Sequence, residues 1–386
     1  MVPQLSQDLT VAGDALPIAV IATNASWNLV NFRIDLIRAI QSAGYRVIAV
    51  APADEFTPRL AALGIEHQPI EMQNSGISPV EDSLLFARYL GLLRRIRPVV
   101  FLGFTIKPNI YGSLAAHWLG IRVINNVSGL GTAFIKNGML TRIATALYTL
   151  AFRRSEVVFF QNTDDLNQFV EGKMVRPDQA RLVPGSGLDL ARFQPARSKP
   201  EARDDFRFLL IARLLWDKGV REYVDAARAI RAIEPKIRCQ VLGFVDVDNR
   251  TAVPRAALDN WVGEGWIDYL GSTDDVRPFI EQADCVVLPS YREGLPRTLV
   301  EGSAMGKPLV ATDVPGVRAV VEDGVTGYLC QVRSARSLAD AMLRMVRLSP
   351  LERQQMGAAG RRKVEREFSQ AIVIKRYLAA LAGENS

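Results

Sequence analysis

Cys285-Val-Val-Leu-Pro-Ser-Tyr-Arg-Glu-Gly-Leu-Pro-Arg-Thr-Leu-Val-Glu-Gly-Ser-Ala-Met-Gly306 is the stretch on which the reading of this chain turns. Its short apolar start fits a buried strand that ends at Pro289 or Ser290. A loop follows with Glu293-Gly294. Pro296 suits the first position of a helix, where its missing N–H has no intrahelical bond to lose. Gly306 closes that helix, and Lys307-Pro308 lead into the next strand. Glu293 thus lies in a loop ahead of a helix N-terminus, and Glu301 lies inside the helix.

The first turn of a helix offers unpaired N–H groups and the positive end of a dipole to a phosphate. Glycine at 294 lets a ligand approach the backbone closely. Carboxylates flanking such an anion site repel phosphate, so their partners are neutral hydroxyls, as ribose and sugars carry. The pattern points to a nucleotide sugar. Two glutamates taken alone fit a capping acid and a surface acid equally well.

Upstream, Ile211-Ala-Arg-Leu-Leu-Trp-Asp-Lys-Gly219 places Arg213 at the end of a strand, Phe206 to Ile211, and Lys218 at the start of a helix, Val220 to Ile233. Open α/β sheets bind ligands outside the carboxyl ends of their strands. Two cations held there can neutralise a departing diphosphate. Spacing alone also allows a pair of surface bases.

The rest of the chain alternates short apolar runs with longer amphipathic ones, which predicts an α/β protein. Strands are expected at 18–23, 46–51, 66–70, 99–104, 121–125, 157–161, 238–243 and 267–270. Helices are expected at 30–42, 56–63, 79–96, 111–119, 140–153 and 254–263. Pro184-Gly185-Ser186-Gly187 and the polar, proline-bearing stretch Pro195 to Asp205 mark a boundary. It divides an N-terminal domain, 1–195, from a C-terminal domain, 196–365, with a last helix over 366–386.

At 386 residues the chain suits two such domains. No apolar run approaches the ~18 residues a membrane-spanning helix needs, and Met1 to Thr10 lacks a secretory pattern. Cys239, Cys285 and Cys330 sit in apolar runs and read as buried thiols. The first strand is followed by Thr23-Asn-Ala-Ser-Trp-Asn28, with no glycine, which argues against a dinucleotide site. Asp246-Val-Asp248 has the spelling of a metal-binding triplet but reads as a solvated loop. The net charge is +6, and no acid occurs from Leu84 to Arg154. A basic stretch this long draws anionic lipid, phosphate or nucleic acid. It closes on Met139 to Arg154, which reads either as a core helix or as one lying in a lipid interface.

The order Arg213…Lys218-Gly219, Gly243, Gly271, then Glu293-Gly294 with seven residues before Glu301, resembles the retaining GT-B glycosyltransferases of the "group 1" family. Ser26-Trp27, Asn31-Phe-Arg33, Thr105-Ile-Lys-Pro-Asn-Ile-Tyr-Gly112 and Asn126-Val-Ser-Gly-Leu-Gly131 look like a subgroup that builds capsule, exopolysaccharide or lipid-linked oligosaccharides on a polyprenyl diphosphate carrier.

The resemblance implies two Rossmann-like domains facing each other across a cleft, with the last helix bracing the first. It implies that Arg213 and Lys218 bind the donor diphosphate, Glu293 the donor sugar and Glu301 the ribose. Gly294, Leu295 and Pro296 would bring backbone toward the donor, and Gly243, Phe244, Leu270 and Gly271 would frame the base. A hexose or N-acetylhexosamine, UDP-linked in this subgroup, would pass with retention to a polyprenyl-linked saccharide, without a metal or other cofactor. Lys107, Asn109 and Asn126 are the acceptor-side candidates. The enzyme is expected in the cytoplasm, on an anionic inner membrane face, with no nucleic-acid partner. The chain departs from many relatives in lacking a glycine-rich loop after the first strand. Its two histidines, His67 and His117, do not fall at a strand end in the first domain. A sugar-nucleotide 2-epimerase and a non-catalytic nucleotide-sugar-binding subunit remain the alternatives.

Overall fold

Short β-branched runs pair side by side into two sheets in the computed structural model, which describes residues 16–73, 78–129, 139–195, 203–246, 249 and 251–384. The first sheet contains β1 (Ile18–Ala22), β2 (Arg46–Ala51), β3 (Glu66–Pro69), β4 (Val100–Phe104), β5 (Arg122–Val127), β6 (Val157–Phe160) and β7 (Ala180–Leu182). Its order is β3-β2-β1-β4-β5-β6-β7. The second contains β8 (Phe206–Ile211), β9 (Ile237–Leu242), β10 (Asp268–Tyr269), β11 (Cys285–Leu288), β12 (Leu309–Thr312) and β13 (Gly327–Cys330), in the order β10-β9-β8-β11-β12-β13. The pairs around β1 and all those of the second sheet are parallel. Each order is that of a doubly wound sheet, with its reversal between the first strand and the fourth.

The second sheet is buried on both faces. Alternation along β8 sends Phe208 and Leu210 into one core, with Tyr223, Val241, Val287 and Met342. Leu209 and Ile211 enter the other, with Val286, Leu299 and Leu309. Cys239, Cys285 and Cys330 are buried free thiols, and burial pushes the Cys239 and Cys330 thiols up to about 12. The first sheet packs Val20, Ile48 and Val50 against Leu85, Tyr89 and Leu93 of the Pro79–Ile96 helix. Among the described residues no helix is long and apolar enough to cross a membrane.

Contacts divide the chain into Met1–Gln73 with Ser78–Ile124, and Asn74–Ile77 with Asn125–Ser386. Within the second unit the Gln370–Ala382 helix lies on strands of the first sheet. The Tyr377 ring sits 4.7 Å from that of Phe159, and the Arg376 guanidinium donates to the Leu182 carbonyl at 2.7 Å.

Two of the expected helices are built differently, and one further helix was not expected. In place of one helix over 30–42 there are two, Ser26–Phe32 and Ile34–Ser42, broken at Arg33. Arg33 is buried with its guanidinium 4.1 Å from the centre of the Phe104 ring, a stacking that sequence periodicity does not register. In place of a helix from Tyr111, a π-type turn over Pro108–Gly112 precedes a helix over Ser113–Trp118. A helix over Thr163–Glu171 was not expected; Asn162 caps it, its side chain accepting from Asp165 N. The expectations for Met1 to Thr10, and parts of those for 126–131, 195–205 and 246–248, lie outside the described residues.

Candidate active site

The reversal between β8 and β11 brings the chain after β8 beside the chain after β11. Gly219 makes their approach close. It has φ 71°, and a Cβ there would run into the Pro289 carbonyl. The turn Trp216–Lys218 is thereby pressed against the start of the β11 loop, where Tyr291 N donates to the Asp217 carbonyl at 2.9 Å. The Lys218 ammonium then reaches Glu293 Oε1 at 2.6 Å. Both side chains are largely but not wholly buried, at 21% and 12% exposure. A pair so placed keeps enough solvent access for an incoming anion to compete for the lysine.

The loop between Ser290 and the Arg297–Ala304 helix is held on several sides. Gly294 packs so closely on Ser128 that a Cβ would strike the Ser128 carbonyl. Asn162 Nδ2 donates to the Gly294 carbonyl at 2.7 Å. Arg292 is ion-paired with the buried Asp165; burial raises the Asp165 carboxyl above its ordinary range, and the Arg292 charge opposes that. Tyr291 donates to Glu222 at 2.7 Å, and burial together with that carboxylate pushes its hydroxyl up to about 12. Leu295 packs against the core, and the buried Pro296 stands at the N-cap of the helix.

Glu301 is 6% exposed. Burial raises its carboxyl above the ordinary range, while Arg297, one turn earlier, opposes the shift through an Nε–Oε1 contact of 2.8 Å. On the other flank of β8, Gly243 N donates to the Gly271 carbonyl at 2.8 Å, and Leu270 N to the Val241 carbonyl at 2.9 Å. Phe244 is exposed, and its carbonyl takes the Leu214 N–H. Arg213 is exposed, and among the described residues its guanidinium makes no hydrogen bond or ion pair.

The structure therefore joins Lys218 to Glu293 and Gly243 to Gly271. Glu301 is joined to Arg297 rather than to another of the expected site residues. The acceptor-side candidates are engaged inside the protein. Lys107 pairs with Asp82 at 2.9 Å, with only 13% and 7% of the side chains exposed. Asn109 is buried in the π-type turn. Asn126 is buried; it donates to the Tyr377 hydroxyl at 2.8 Å and accepts from Ser128 Oγ at 2.8 Å. Thr105, between β4 and Lys107, has φ 67°, a conformation that β-branched residues seldom adopt. Among the described residues no three His, Cys, Asp or Glu side chains are grouped to hold a metal ion.

Sequence reasoning missed Asn162, Asp165, Arg292 and Arg297. Two left a local trace: Asn162 begins an Asn-x-x-Asp cap, and Arg297 stands four residues before Glu301. Arg292–Asp165 joins residues 127 positions apart and left none.

Family profiles match the chain over both sheets: residues 205–347 match "Glycosyl transferases group 1" and residues 18–162 match "Glycosyl transferase 4-like". The chain belongs to the group 1 glycosyltransferases. It is 24% identical, over 92% of its length and 96% of the relative's, to the N,N'-diacetylbacillosaminyl-diphospho-undecaprenol alpha-1,3-N-acetylgalactosaminyltransferase of Campylobacter jejuni. It is 29% identical, over 61% of its length and 59% of the relative's, to the putative colanic acid biosynthesis glycosyltransferase WcaL of Escherichia coli. The fold matches Anabaena HepE in complex with UDP-glucose with a TM-score of 0.78 at 17% identity, covering 95% of this chain and 99% of that one.

Proposed function

We propose that this glycosyltransferase moves a hexose or N-acetylhexosamine, with retention, from a UDP-linked donor to a saccharide carried on polyprenyl diphosphate. The observation that carries the reading is the Lys218–Glu293 pair at the reversal of the second sheet. A diphosphate arriving there competes for Lys218 and releases Glu293 to accept from sugar hydroxyls. Arg213, exposed at the end of β8, meets the same diphosphate and stabilises the charge that grows as the sugar leaves. Glu301 accepts from the ribose hydroxyls. Gly294, Leu295 and Pro296 line the path of the diphosphate and sugar, and the segments at Gly243–Phe244 and Leu270–Gly271 frame the base. Residues 196–365 form the donor half, residues 1–195 the acceptor half, and the Gln370–Ala382 helix braces β6 and β7 of the latter. The lipid-linked acceptor is supported by the name of the Campylobacter relative, and the UDP donor by the ligand of the Anabaena structure.

The same reading places the protein on an anionic membrane face. The Met139–Phe152 helix buries Ala144, Tyr148 and Ala151 but exposes Ile143 and Leu150 on a different side. Arg142, Arg153 and Arg154 are exposed beside that apolar side, and among the described residues they have no acidic partner. Exposed apolar side chains rimmed by arginines suit the headgroup boundary.

The experiment is thermal stabilisation of the purified protein by UDP-, GDP- and ADP-sugars without added metal, since a ligand of the native state raises Tm by mass action. A rise with one donor that is lost in Glu301→Ala supports the reading. No rise with any donor in a folded sample overturns it and favours a non-catalytic subunit.

A further inference from the structure

Arg297 opens the helix that carries Glu301, and among the described residues its guanidinium is held at two points. Nε donates to Glu301 Oε1 at 2.8 Å. Nη1 donates to Ser186 Oγ at 3.0 Å, in the loop that follows β7. A planar fork fixed at both ends holds the carboxylate in one orientation. Among the described residues no hydrogen bond reaches Glu301 Oε2.

We propose that Arg297 is a positioning residue for the donor: it holds the Glu301 carboxylate as a two-oxygen acceptor for the vicinal hydroxyls of a ribose. The inference rests on the reading of Glu301 given above and adds to it a residue with its own role. Two adjacent hydroxyls each bring a proton. A carboxylate has two oxygens with room for both, whereas a neutral carboxylic acid turns one of them into a competing donor.

Glu301 stands where burial favours the neutral acid. The charged groups around it are Arg297 on its own helix, Arg192 from the segment after β7, and Asp275 ahead of the Arg277–Gln282 helix. Asp275 opposes ionisation, but its carboxylate is paired with Arg277 at 2.6 Å. Arg192 favours ionisation less strongly than Arg297, which alone combines charge with a hydrogen bond. Removing Arg297 raises the carboxyl further. The ionised form is then lost as pH falls through the raised value and regained as pH rises above it.

The test is calorimetric titration with UDP, GDP and ADP, and with their 2′-deoxy forms, at pH 6 and pH 8.5. The proteins are the wild type, Arg297→Met, Arg297→Lys and Glu301→Ala, each checked for an intact fold. The wild type should bind one ribonucleotide and prefer it to its 2′-deoxy form at both pH values. Arg297→Met should bind about tenfold more weakly at pH 6, the size of a lost charge-assisted hydrogen bond, with little ribose preference. It should recover most of both at pH 8.5. Arg297→Lys should regain part of the loss at pH 6, because the charge is restored without the fork. Weakening by Arg297→Met that is the same at both pH values, or no weakening, overturns the role of Arg297. Glu301→Ala binding as the wild type does, or a wild type that binds none of the three, overturns instead the reading of Glu301 on which it rests.

Discussion

Two lysine–carboxylate pairs occupy corresponding places in the two sheets, each following the strand that lies across the reversal from the first. After β11, Glu293 is paired with Lys218; after β4, Lys107 is paired with Asp82. The chemical ingredients match and the surroundings differ. Lys218 and Glu293 stand on two loops, and the backbone around them is brought close by glycine. Asp82 stands on the Pro79–Ile96 helix, so its pair pins the turn after β4 to a neighbouring helix, and it is the more deeply buried of the two pairs. A pair between loops can exchange partners for a ligand. A pair that fastens a turn to a helix resists exchange, because each ion would be left in a poorly solvated place.

The largest effect that contrast predicts is at Lys218. Lys218→Ala should lower the sugar-transfer rate by about 10³-fold, the upper range for losing one preorganised charge contact, with Tm nearly unchanged. A radiolabelled-sugar transfer assay beside a melting curve checks both halves, and a normal rate would remove the distinction between the pairs.

Next comes Lys107→Ala, which strands the buried Asp82 and should cost about 3 kcal/mol of stability in denaturant titration. Lys107→Met combined with Asp82→Asn should recover much of it. If Lys107→Ala instead keeps its stability and raises KM for the lipid-linked acceptor, the second pair also exchanges with a ligand, and the two regions are alike.

The smallest effect concerns positive charge that has no acidic partner among the described residues. Arg153→Ser should weaken binding to phosphatidylserine-containing vesicles about fivefold, the size of one arginine near an anionic surface, and leave transfer to a detergent-solubilised acceptor unchanged. Sedimentation with vesicles at low and moderate salt measures it.

The candidate site of the second sheet was legible because its signals are local. Gly219, Glu293 and Gly294 act within a few residues of a strand end, and β8 was read at its observed bounds from apolar residues alone. The turns of the first sheet were less legible. Lys107 reads as a free cation in a stretch without acids, yet its partner Asp82 lies just outside that stretch, 25 residues earlier. Arg88 finds Glu71 and Glu81 in the same way. Asn126 looks like a loop asparagine until the Tyr377 hydroxyl, 251 residues later, is placed beside it. An absence of acid in sequence is therefore not an absence of acid in space. The break at Arg33 was hidden for the same reason, since its stacking partner Phe104 lies far along the chain, on β4.

The Gln370–Ala382 helix has a consequence for how the chain is made. The Tyr377 hydroxyl that Asn126 binds, and the ring that covers Phe159, belong to residues translated long after β5 and β6. While the ribosome is still short of residue 377, those strands are complete in sequence but uncovered, with apolar side chains and a buried-type asparagine open to water. This part of the first sheet is thus complete in sequence early and sealed late, which lengthens the time its apolar surface is open to aggregation during synthesis.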